Sequence, residues 1–171
     1  MKLLRYGPAG EEKPGLLDQD GTIRDLSSVI DDVNGGTLSP ESIERLSGIE
    51  PGSLPAVTAE ARLGTCVGNI GKLVCIGLNY SDHAKESGMP IPTEPIVFMK
   101  ATSCISGPND DIELLRGSQK TDWEAELGIV IGSHTKYVSE ANALEHVAGY
   151  CVVNDVSERE WQLERQGQWI K

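Results

Sequence analysis

The stretch from Asp122 to Gly132, with the sequence DWEAELGIVIG, constrains the fold more strongly than any other part of the chain. Its first half alternates in polarity, and one residue separates Glu124 from Glu126, so a β-strand places both carboxylates on one face. Its second half, LGIVIG, is apolar on both faces, which predicts a strand that is covered on both sides. Two like charges near such an interior are costly unless a divalent cation, which takes oxygen ligands, compensates them.

A second interpretation of this stretch stays open from the residues alone. An E-x-E pattern is most often the solvated face of an antiparallel sheet. Taken by itself, the pattern favours that interpretation over a metal site, so the decision depends on the rest of the chain.

Composition narrows the classes of partner. The chain has 171 residues, 39% apolar and 24% charged, which indicates one medium globular domain or a small domain with part of another. The net charge of −11 argues against nucleic acid and against an anionic membrane surface. No apolar run approaches the roughly 20 residues of a membrane-spanning helix. Four cysteines without a C-x-x-C pair favour reduced thiols and a cytoplasmic location.

Residues 1–68 are predicted to form a small N-terminal β-rich domain. Asp20-Gly21 lies between short apolar pieces, which indicates a β-hairpin. Ser39 and Pro40 suit the N-cap and first turn of a short helix, and Leu46 is spaced to face inward. The first 60 residues contain no catalytic pattern, so we expect the chemistry to lie in residues 69–171.

The second segment begins with a predicted buried strand, Leu73–Gly77, and a short helix between Ser81 and Gly88. His83 and Glu86 are three positions apart and therefore share one face of that helix. A carboxylate beside an imidazole favours the charged form of the ring and can fix its tautomer. A surface histidine–glutamate pair is the simpler interpretation, and these two residues alone favour it.

Two further predicted strands end in charged residues. The strand Ile96–Lys100 follows a loop with three prolines, and Lys100 faces either a site or, more frequently, water. A buried strand over residues 149–155 ends in Asp155, just before a helix predicted from Val156 onward. A carboxylate at the end of a rigid strand is well placed to act as a ligand.

Three motifs, in this order, resemble the fumarylacetoacetate hydrolase family from about Leu73 to Lys171: NY-x-DH-x-x-E, WE-x-EL and ND-x-S-x-R. The first segment also resembles the N-terminal domain of many bacterial members. The resemblance implies a mostly β (α+β) fold with short helices. In such a fold the small N-terminal β domain precedes a mixed β-roll catalytic domain that is usually dimeric.

The resemblance also implies a role for each charged residue described above. Mg²⁺ or Mn²⁺, with Ca²⁺ as an alternative, would be bound by three acids: Glu124, Glu126 and Asp155. Water would be activated by the pair on the short helix: His83 and Glu86. Positions that contact substrate in some members are matched by three further residues: Arg159, Gln162 and Lys100.

One departure from the family pattern concerns the end of the sequence. The family domain continues into a GKS-x-DT-like segment that supplies a lysine and a threonine near the site, whereas this sequence stops at Lys171. We therefore expect residues 69–171 to be the first part of an incomplete catalytic domain, with unpaired sheet edges exposed.

A three-carboxylate metal site with a nearby base is suited to a 2-oxo acid that chelates the cation. We predict hydrolysis of a carbon–carbon bond in a 2,4-dioxo acid, either acylpyruvate-like or a diketo-deoxy sugar acid, with release of a pyruvate-type enolate. A lyase (ureidoglycolate lyase or oxaloacetate decarboxylase), an isomerase, or an inactive fragment ending at Lys171 are the alternatives. The expected partners are a small anionic oxo acid and a second copy in a homodimer.

Overall fold

The structure, a computed structural model, describes residues 1–58, 60–165 and 167, so Lys171 lies outside the described residues. The strands are β1 (Leu3–Tyr6), β2 (Lys13–Leu17), β3 (Ile23–Asp25), β4 (Leu73–Gly77), β5 (Ile96–Lys100), β6 (Thr121–Asp122), β7 (Ala125–Ile131), β8 (Val147–Asn154) and β9 (Ser157–Glu158). The helices are α1 (Pro40–Ser47) and α2 (Ser81–Glu86), with 3₁₀ segments at Pro51–Ser53, Thr102–Cys104 and Glu140–His146 and a single π turn at Glu160–Glu164. These elements confirm the predicted mostly β class with short helices.

The N-terminal strands form an antiparallel sheet in the order β1-β2-β3. Gly21 lies in the turn between β2 and β3 with a φ of +85°, a conformation that favours glycine because it lacks a Cβ. The Gly21 amide donates to the carbonyl of Asp18, whose own amide donates to the carbonyl of Thr22. The hairpin predicted from Asp20-Gly21 is therefore confirmed.

Helix α1 begins where its sequence predicts. The hydroxyl of Ser39 accepts a hydrogen bond from the amide of Ser42, Pro40 lies in the first turn, and Gly48 is the C-cap. Leu46 is fully buried on the inward face. Both α-helices are short, and within residues 1–58, 60–165 and 167 none has the length and apolar character needed to cross a bilayer.

A cluster of buried aliphatic side chains forms the core beside the N-terminal sheet: Leu16, Leu26, Ile30, Val33, Leu38, Leu46 and Leu54. Val130 of β7 and Ala148 of β8 pack against the same cluster. Removal of apolar surface from water is the main favourable contribution to folding, so these two contacts anchor the β7–β8 hairpin.

A chain of ion pairs links distant parts of the same region. Arg5 Nε lies 2.6 Å from Asp32 Oδ1, and Arg5 Nη2 lies 3.5 Å from Glu12 Oε2. Glu12 also accepts a hydrogen bond from Arg62, which makes two hydrogen bonds of 2.7 and 2.5 Å to Asp110. A two-pronged arginine–carboxylate pair is among the stronger polar contacts, so this network holds the Ser106–Glu113 segment in place.

Residue contacts divide the chain into two compact units. The first unit comprises Met1–Ile70, Ser106–Glu113 and Glu124–Asp155. The second unit comprises Gly71–Ile105, Leu114–Trp123 and Val156–Lys171. The β7–β8 hairpin thus groups with the N-terminal core, while the sequence boundary between residues 68 and 69 stays a prediction.

Strands β7 and β8 form an antiparallel hairpin with a register irregularity at Val130/Ile131. One face of the hairpin packs on the core and is half-buried. The opposite face is apolar and exposed: Leu127, Ile129, Ile131, Tyr150 and Val152. The expectation of a strand covered on both sides is therefore wrong within the described residues, because only the inner face meets the core cluster.

The second unit contains two further strand pairs, β4–β5 and β6–β9, both antiparallel. Alternate residues of β4 and β5 are exposed, so β4 is half-covered and not fully buried as its sequence predicts. Helix α2 has Tyr80 as its N-cap, and Ser81 is its first residue. Gly88, with a φ of +65°, follows the helix end as predicted.

Replacing Leu26 with alanine should lower the free energy of unfolding by about 2–5 kcal/mol, because the fully buried side chain would leave a cavity in the core. Urea denaturation followed by circular dichroism measures the change. Val152, which is 87% exposed, provides the control, and Val152→Ala should change stability by roughly 0.5 kcal/mol or less. Equal losses for the two variants would contradict the proposed position of the core.

Asp110 should make stability depend on pH in the acid range. The hydrogen bonds from Arg62 and from the Gly107 amide hold the pKa of the Asp110 carboxyl below its usual value. A pKa that is lower in the folded state contributes stability above the unfolded value of about 4, and this is lost as pH falls through the folded value. Asp110→Asn should therefore be less stable at pH 7 and lose less stability on acidification below about pH 4.

Thermal unfolding between neutral pH and pH 3 tests this expectation. The matched control is Asp111→Asn, which removes the charge of the exposed neighbouring aspartate. The control should keep the acid-dependent loss of the parent chain. An Asp110→Asn profile parallel to that of the parent would show that this carboxylate does not carry the effect.

Candidate active site

The end of the β7–β8 ladder brings two of the predicted metal ligands face to face. Ala125 pairs with Asn154, and one step further the Asp155 amide donates to the carbonyl of Glu124 at 2.9 Å. The Glu124 amide in turn donates to Asn154 Oδ1 at 3.2 Å. Directly opposed residues of antiparallel strands share one face, so Glu124 and Asp155 are cross-strand neighbours.

Glu126 lies in β7, and Glu124 directly precedes this strand on the same face. The single strand predicted from Asp122 to Gly132 is therefore interrupted at Trp123 and Glu124, between β6 and β7. Both glutamates are half-buried, whereas Ala125 and Leu127, which alternate with them, are exposed. The three acids therefore share the inner face of the hairpin at the end remote from its connecting loop. Gly128 comes next on this face, and a Cβ there would lie 2.6 Å from Cys151 Sγ, so any larger residue would force a neighbouring side chain to shift.

The side chains of these acids are not assembled into a metal centre. Within the part of the chain that the structure describes, there is no group of three or more histidine, cysteine or acidic residues arranged to hold a metal ion. The donor chemistry nevertheless fits a hard divalent cation, because three carboxylates share one face of one rigid strand pair. The assignment of Glu124, Glu126 and Asp155 as ligands stays a prediction.

Helix α2 presents the predicted proton-transfer pair to solvent. His83 and Glu86 are both exposed, and Ala84 is the buried residue of this helix. The His83 carbonyl accepts hydrogen bonds from the amide and the hydroxyl of Ser87, which end the helix. His83 and Glu86 share one face of α2, as the sequence predicts. Their role in catalysis stays a prediction.

The structure brings two predicted substrate-binding residues together in the second unit. Arg159 Nη1 donates to Gln162 Oε1 at 2.9 Å, and Arg159 Nε donates to Asp122 Oδ2 at 3.0 Å. These two contacts fix the plane of the guanidinium group. Asp122 is an additional residue that the sequence pattern did not single out.

The third predicted substrate residue lies beside the start of β9. Lys100 Nζ lies 3.4 Å from both the Val156 carbonyl and Ser157 Oγ, so the structure gives this lysine protein contacts. Ser157 is buried in β9, and the helix predicted from Val156 onward is wrong for this stretch. The single turn begins later, at Glu160, because the backbone at Ser157 and Glu158 pairs with β6.

Glu158 is a buried acid that sequence reasoning missed. Its carboxylate accepts hydrogen bonds from the hydroxyls of Ser118 and Thr121 and from the amides of Lys120 and Glu160. These donors, the Ser118 hydroxyl first, hold the pKa of Glu158 below its usual range. The residues around Glu158 in the sequence are polar, which suggests a solvated side chain. The only sequence pattern that pointed to its hydroxyl donors was the Ser-x-x-Thr spacing of Ser118 and Thr121, just before the E-x-E strand.

The eight predicted site residues thus divide between the two compact units. The candidate metal ligands belong to the first unit: Glu124, Glu126 and Asp155. The remaining candidates belong to the second unit: His83, Glu86, Lys100, Arg159 and Gln162.

Comparison with known proteins places the second segment in a described family. The family model "Fumarylacetoacetate (FAA) hydrolase C-terminal" matches residues 72–171. A protein of Burkholderia lata, provisionally named a hydrolase, is 63% identical over 171 residues, which is 100% of this chain and 61% of that protein. The chain therefore spans 61% of the length of this curated relative.

Solved structures share the fold. A fumarylacetoacetate hydrolase from Exiguobacterium antarcticum is 33% identical with a TM-score of 0.75, over 99% of this chain and 60% of that one. A 5-carboxymethyl-2-hydroxymuconate delta-isomerase from Mycobacterium smegmatis is 28% identical with a TM-score of 0.69, over 99% and 59%. A maleylpyruvate hydrolase from Sphingobium sp. SYK-6, solved with manganese(II) and pyruvate, is 22% identical with a TM-score of 0.67, over 93% and 60%, and shows the fold alone.

Proposed function

The chain belongs to the fumarylacetoacetate hydrolase family, and on that basis we propose that it serves divalent-metal-dependent hydrolysis of a carbon–carbon bond in a 2,4-dioxo acid. The observation that carries the proposal is the common face of the three acids at the end of the β7–β8 ladder. Glu124 lies opposite Asp155, and Glu126 is on the same face of β7. A site with this donor set suits a hard cation and, through it, an oxygen-chelating 2-oxo acid.

The residues that would hold the cation are Glu124, Glu126 and Asp155. Mg²⁺ or Mn²⁺ is the proposed metal, and Ca²⁺ is the alternative, since each takes oxygen ligands. The bound manganese and pyruvate named for the Sphingobium structure support a metal and a 2-oxo acid in this fold. When bound, such a cation supplies Lewis-acid polarisation of substrate oxygens.

The proton-transfer work is assigned to α2. The His83 imidazole takes a proton from water, and the Glu86 carboxylate on the same helix face stabilises the resulting imidazolium. The hydroxide equivalent attacks the carbonyl carbon remote from the 2-oxo acid end. The carbon–carbon bond then breaks, its electron pair stays with the pyruvate-type fragment as an enolate, and a proton completes that product.

Substrate orientation is assigned to cationic and amide side chains of the second unit. The guanidinium of Arg159, whose plane is fixed by Asp122 and Gln162, presents a fork of donors suited to a carboxylate. The amide of Gln162 and the ammonium of Lys100 provide further donors. These groups together select a small anionic substrate in spite of the acidic net charge of the chain.

Isomerisation is the second candidate activity, and the delta-isomerase among the solved neighbours favours it. An isomerase moves a proton within the substrate and adds no water, so His83 would take the proton from one substrate carbon and return it to another instead of activating water. A lyase acting on ureidoglycolate or on oxaloacetate also uses no attacking water. The identity of the products decides among these reactions. The homodimer also stays a prediction.

Replacing Glu126 with glutamine should weaken Mn²⁺ binding by at least about tenfold, because one of three anionic ligands becomes a neutral amide. Isothermal titration of Mn²⁺ into each protein measures the affinity. Glu145→Gln, which neutralises an exposed acid of the β7–β8 connection, is the matched control and should bind like the parent. Equal affinities for Glu126→Gln and the control would remove Glu126 from the ligand set.

The reaction class is tested on a panel of 2,4-dioxo acids, oxaloacetate and ureidoglycolate, with Mg²⁺ and protein of the full length of the relatives. We expect turnover of a 2,4-dioxo acid to pyruvate and a carboxylic acid. His83→Ala should lower kcat by about 10²–10⁴-fold, the usual contribution of a general base, and leave metal affinity unchanged.

The control for this helix is Lys85→Ala, which alters another exposed residue of α2 and should retain activity. Pyruvate formation only from oxaloacetate would support the decarboxylase, and rearrangement without cleavage would support the isomerase. Loss of metal binding in His83→Ala would show that this histidine is a ligand and not the base.

A further inference from the structure

Glu158 makes contacts that no step of the proposed reaction uses. It is 4% exposed, and its carboxylate accepts from two hydroxyls and two backbone amides. The donors occupy the lone-pair sites that a substrate or a metal would need. Glu158 therefore acts through the groups that it holds and not on the substrate directly.

The donors to Glu158 come from both sides of a very short strand pair. Ser118, Lys120 and Thr121 belong to the loop and strand leading into β7, and Glu160 follows β9. Strands β6 and β9 pair over only two residues each, Thr121 with Glu158 and Asp122 with Ser157. A ladder of that length has few backbone hydrogen bonds, so a buried carboxylate that collects four donors contributes much of its cohesion.

Arg159 depends on this strand pair for its position. Its amide donates to the Lys120 carbonyl at 2.9 Å, and its Nε donates to Asp122 Oδ2 at 3.0 Å. Lys120 and Asp122 flank Thr121, one of the hydroxyl donors to Glu158. Glu158 therefore holds the residues on either side of the hydrogen bond between Arg159 and Asp122: it binds Lys120 and Thr121, and it directly precedes Arg159 in the chain.

We infer that Glu158 is a positioning residue that binds the Ser118–Thr121 loop to β9 and thereby holds the Arg159 guanidinium against Asp122. The consequence for substrate binding rests on the proposed function, in which Arg159 recognises the substrate carboxylate. The effect of Glu158 on the geometry of Arg159 does not depend on which reaction the enzyme performs.

The variants Glu158→Gln and Glu158→Ala test the inference, with Glu160→Gln as the matched control. Glu160 is the nearest glutamate along the chain, and its side chain pairs with Arg165 instead. Glutamine keeps one acceptor oxygen but turns an NH₂ group toward donors, whereas alanine removes every acceptor. Thr121→Val removes a single donor and serves where Glu158→Ala does not fold.

The first readout is structural and independent of activity. Nuclear magnetic resonance follows the Nε–H signal of Arg159, assigned by its loss in Arg159→Lys, and the exchange of the Lys120 and Glu160 amide protons. We expect Glu158→Ala to accelerate exchange of all three protons by about tenfold or more, since their acceptors are removed or displaced. Glu158→Gln and Thr121→Val should give smaller changes of the same sign, and Glu160→Gln none.

The second readout separates positioning from general loss of structure. We expect Glu158→Gln to raise KM for a 2,4-dioxo acid about tenfold and to leave kcat within about twofold, since substrate binding weakens while the reacting groups stay in place. A merely structural residue would reduce the active fraction, lowering apparent kcat with KM unchanged.

The two hypotheses fail in different ways. An unchanged Arg159 Nε–H signal and unchanged amide exchange in Glu158→Ala and Thr121→Val would overturn the positioning role. A fall in kcat with KM unchanged would overturn it equally. Absence of turnover of every 2,4-dioxo acid by the parent protein would overturn the proposed function alone, because the Arg159 signal still decides the role of Glu158.

Discussion

The antiparallel register of β7 and β8 is the constraint on which the candidate metal site depends. A slip of one residue would turn Glu124 and Glu126 to the outer face, because side chains alternate along a strand. The close approach at Gly128, where a Cβ would lie 2.6 Å from Cys151 Sγ, favours glycine at this position of the register. Packing of Val130 and Ala148 on the N-terminal core fixes which face is inner. The positions of the carboxylates are therefore set by apolar contacts and a glycine at some distance from the acids.

Features decided by neighbours in sequence could be predicted from the sequence. The turn at Gly21 needs a positive φ, and the start of α1 needs the Ser39 hydroxyl and Pro40, all of which are local requirements. Alternation around Glu124 and Glu126 likewise indicates that the two acids share a face, although the predicted strand over residues 122–132 is interrupted at Trp123 and Glu124, between β6 and β7. The mostly β class with short helices and the family follow from such local patterns together with the order of three motifs.

Features decided by distant contacts could not be predicted in the same way. The pairing of Arg62 with Asp110 joins residues 48 positions apart, and three of the four donors to Glu158 lie 37 to 40 residues before it. An apolar run also does not reveal how many of its faces are covered: Leu127 and Ile129 have the sequence character of core residues and are exposed here. The helix predicted after Asp155 is wrong because pairing with β6 outweighs the local preference at Ser157 and Glu158.

Under the proposed function, the elements that carry the candidate residues differ in rigidity in a way that matches their tasks. A cation with three carboxylate ligands needs oxygen atoms held within a few tenths of an ångström, and β7 and β8 supply a long ladder anchored on the core. A general base needs only to reach a water molecule at the moment of reaction. Helix α2 has six residues, of which Ala84 is the buried one, and a helix this short is easily opened. Arg159 lies between these extremes: its ladder is only two residues long, and the buried carboxylate of Glu158 supplies the rigidity that the ladder lacks.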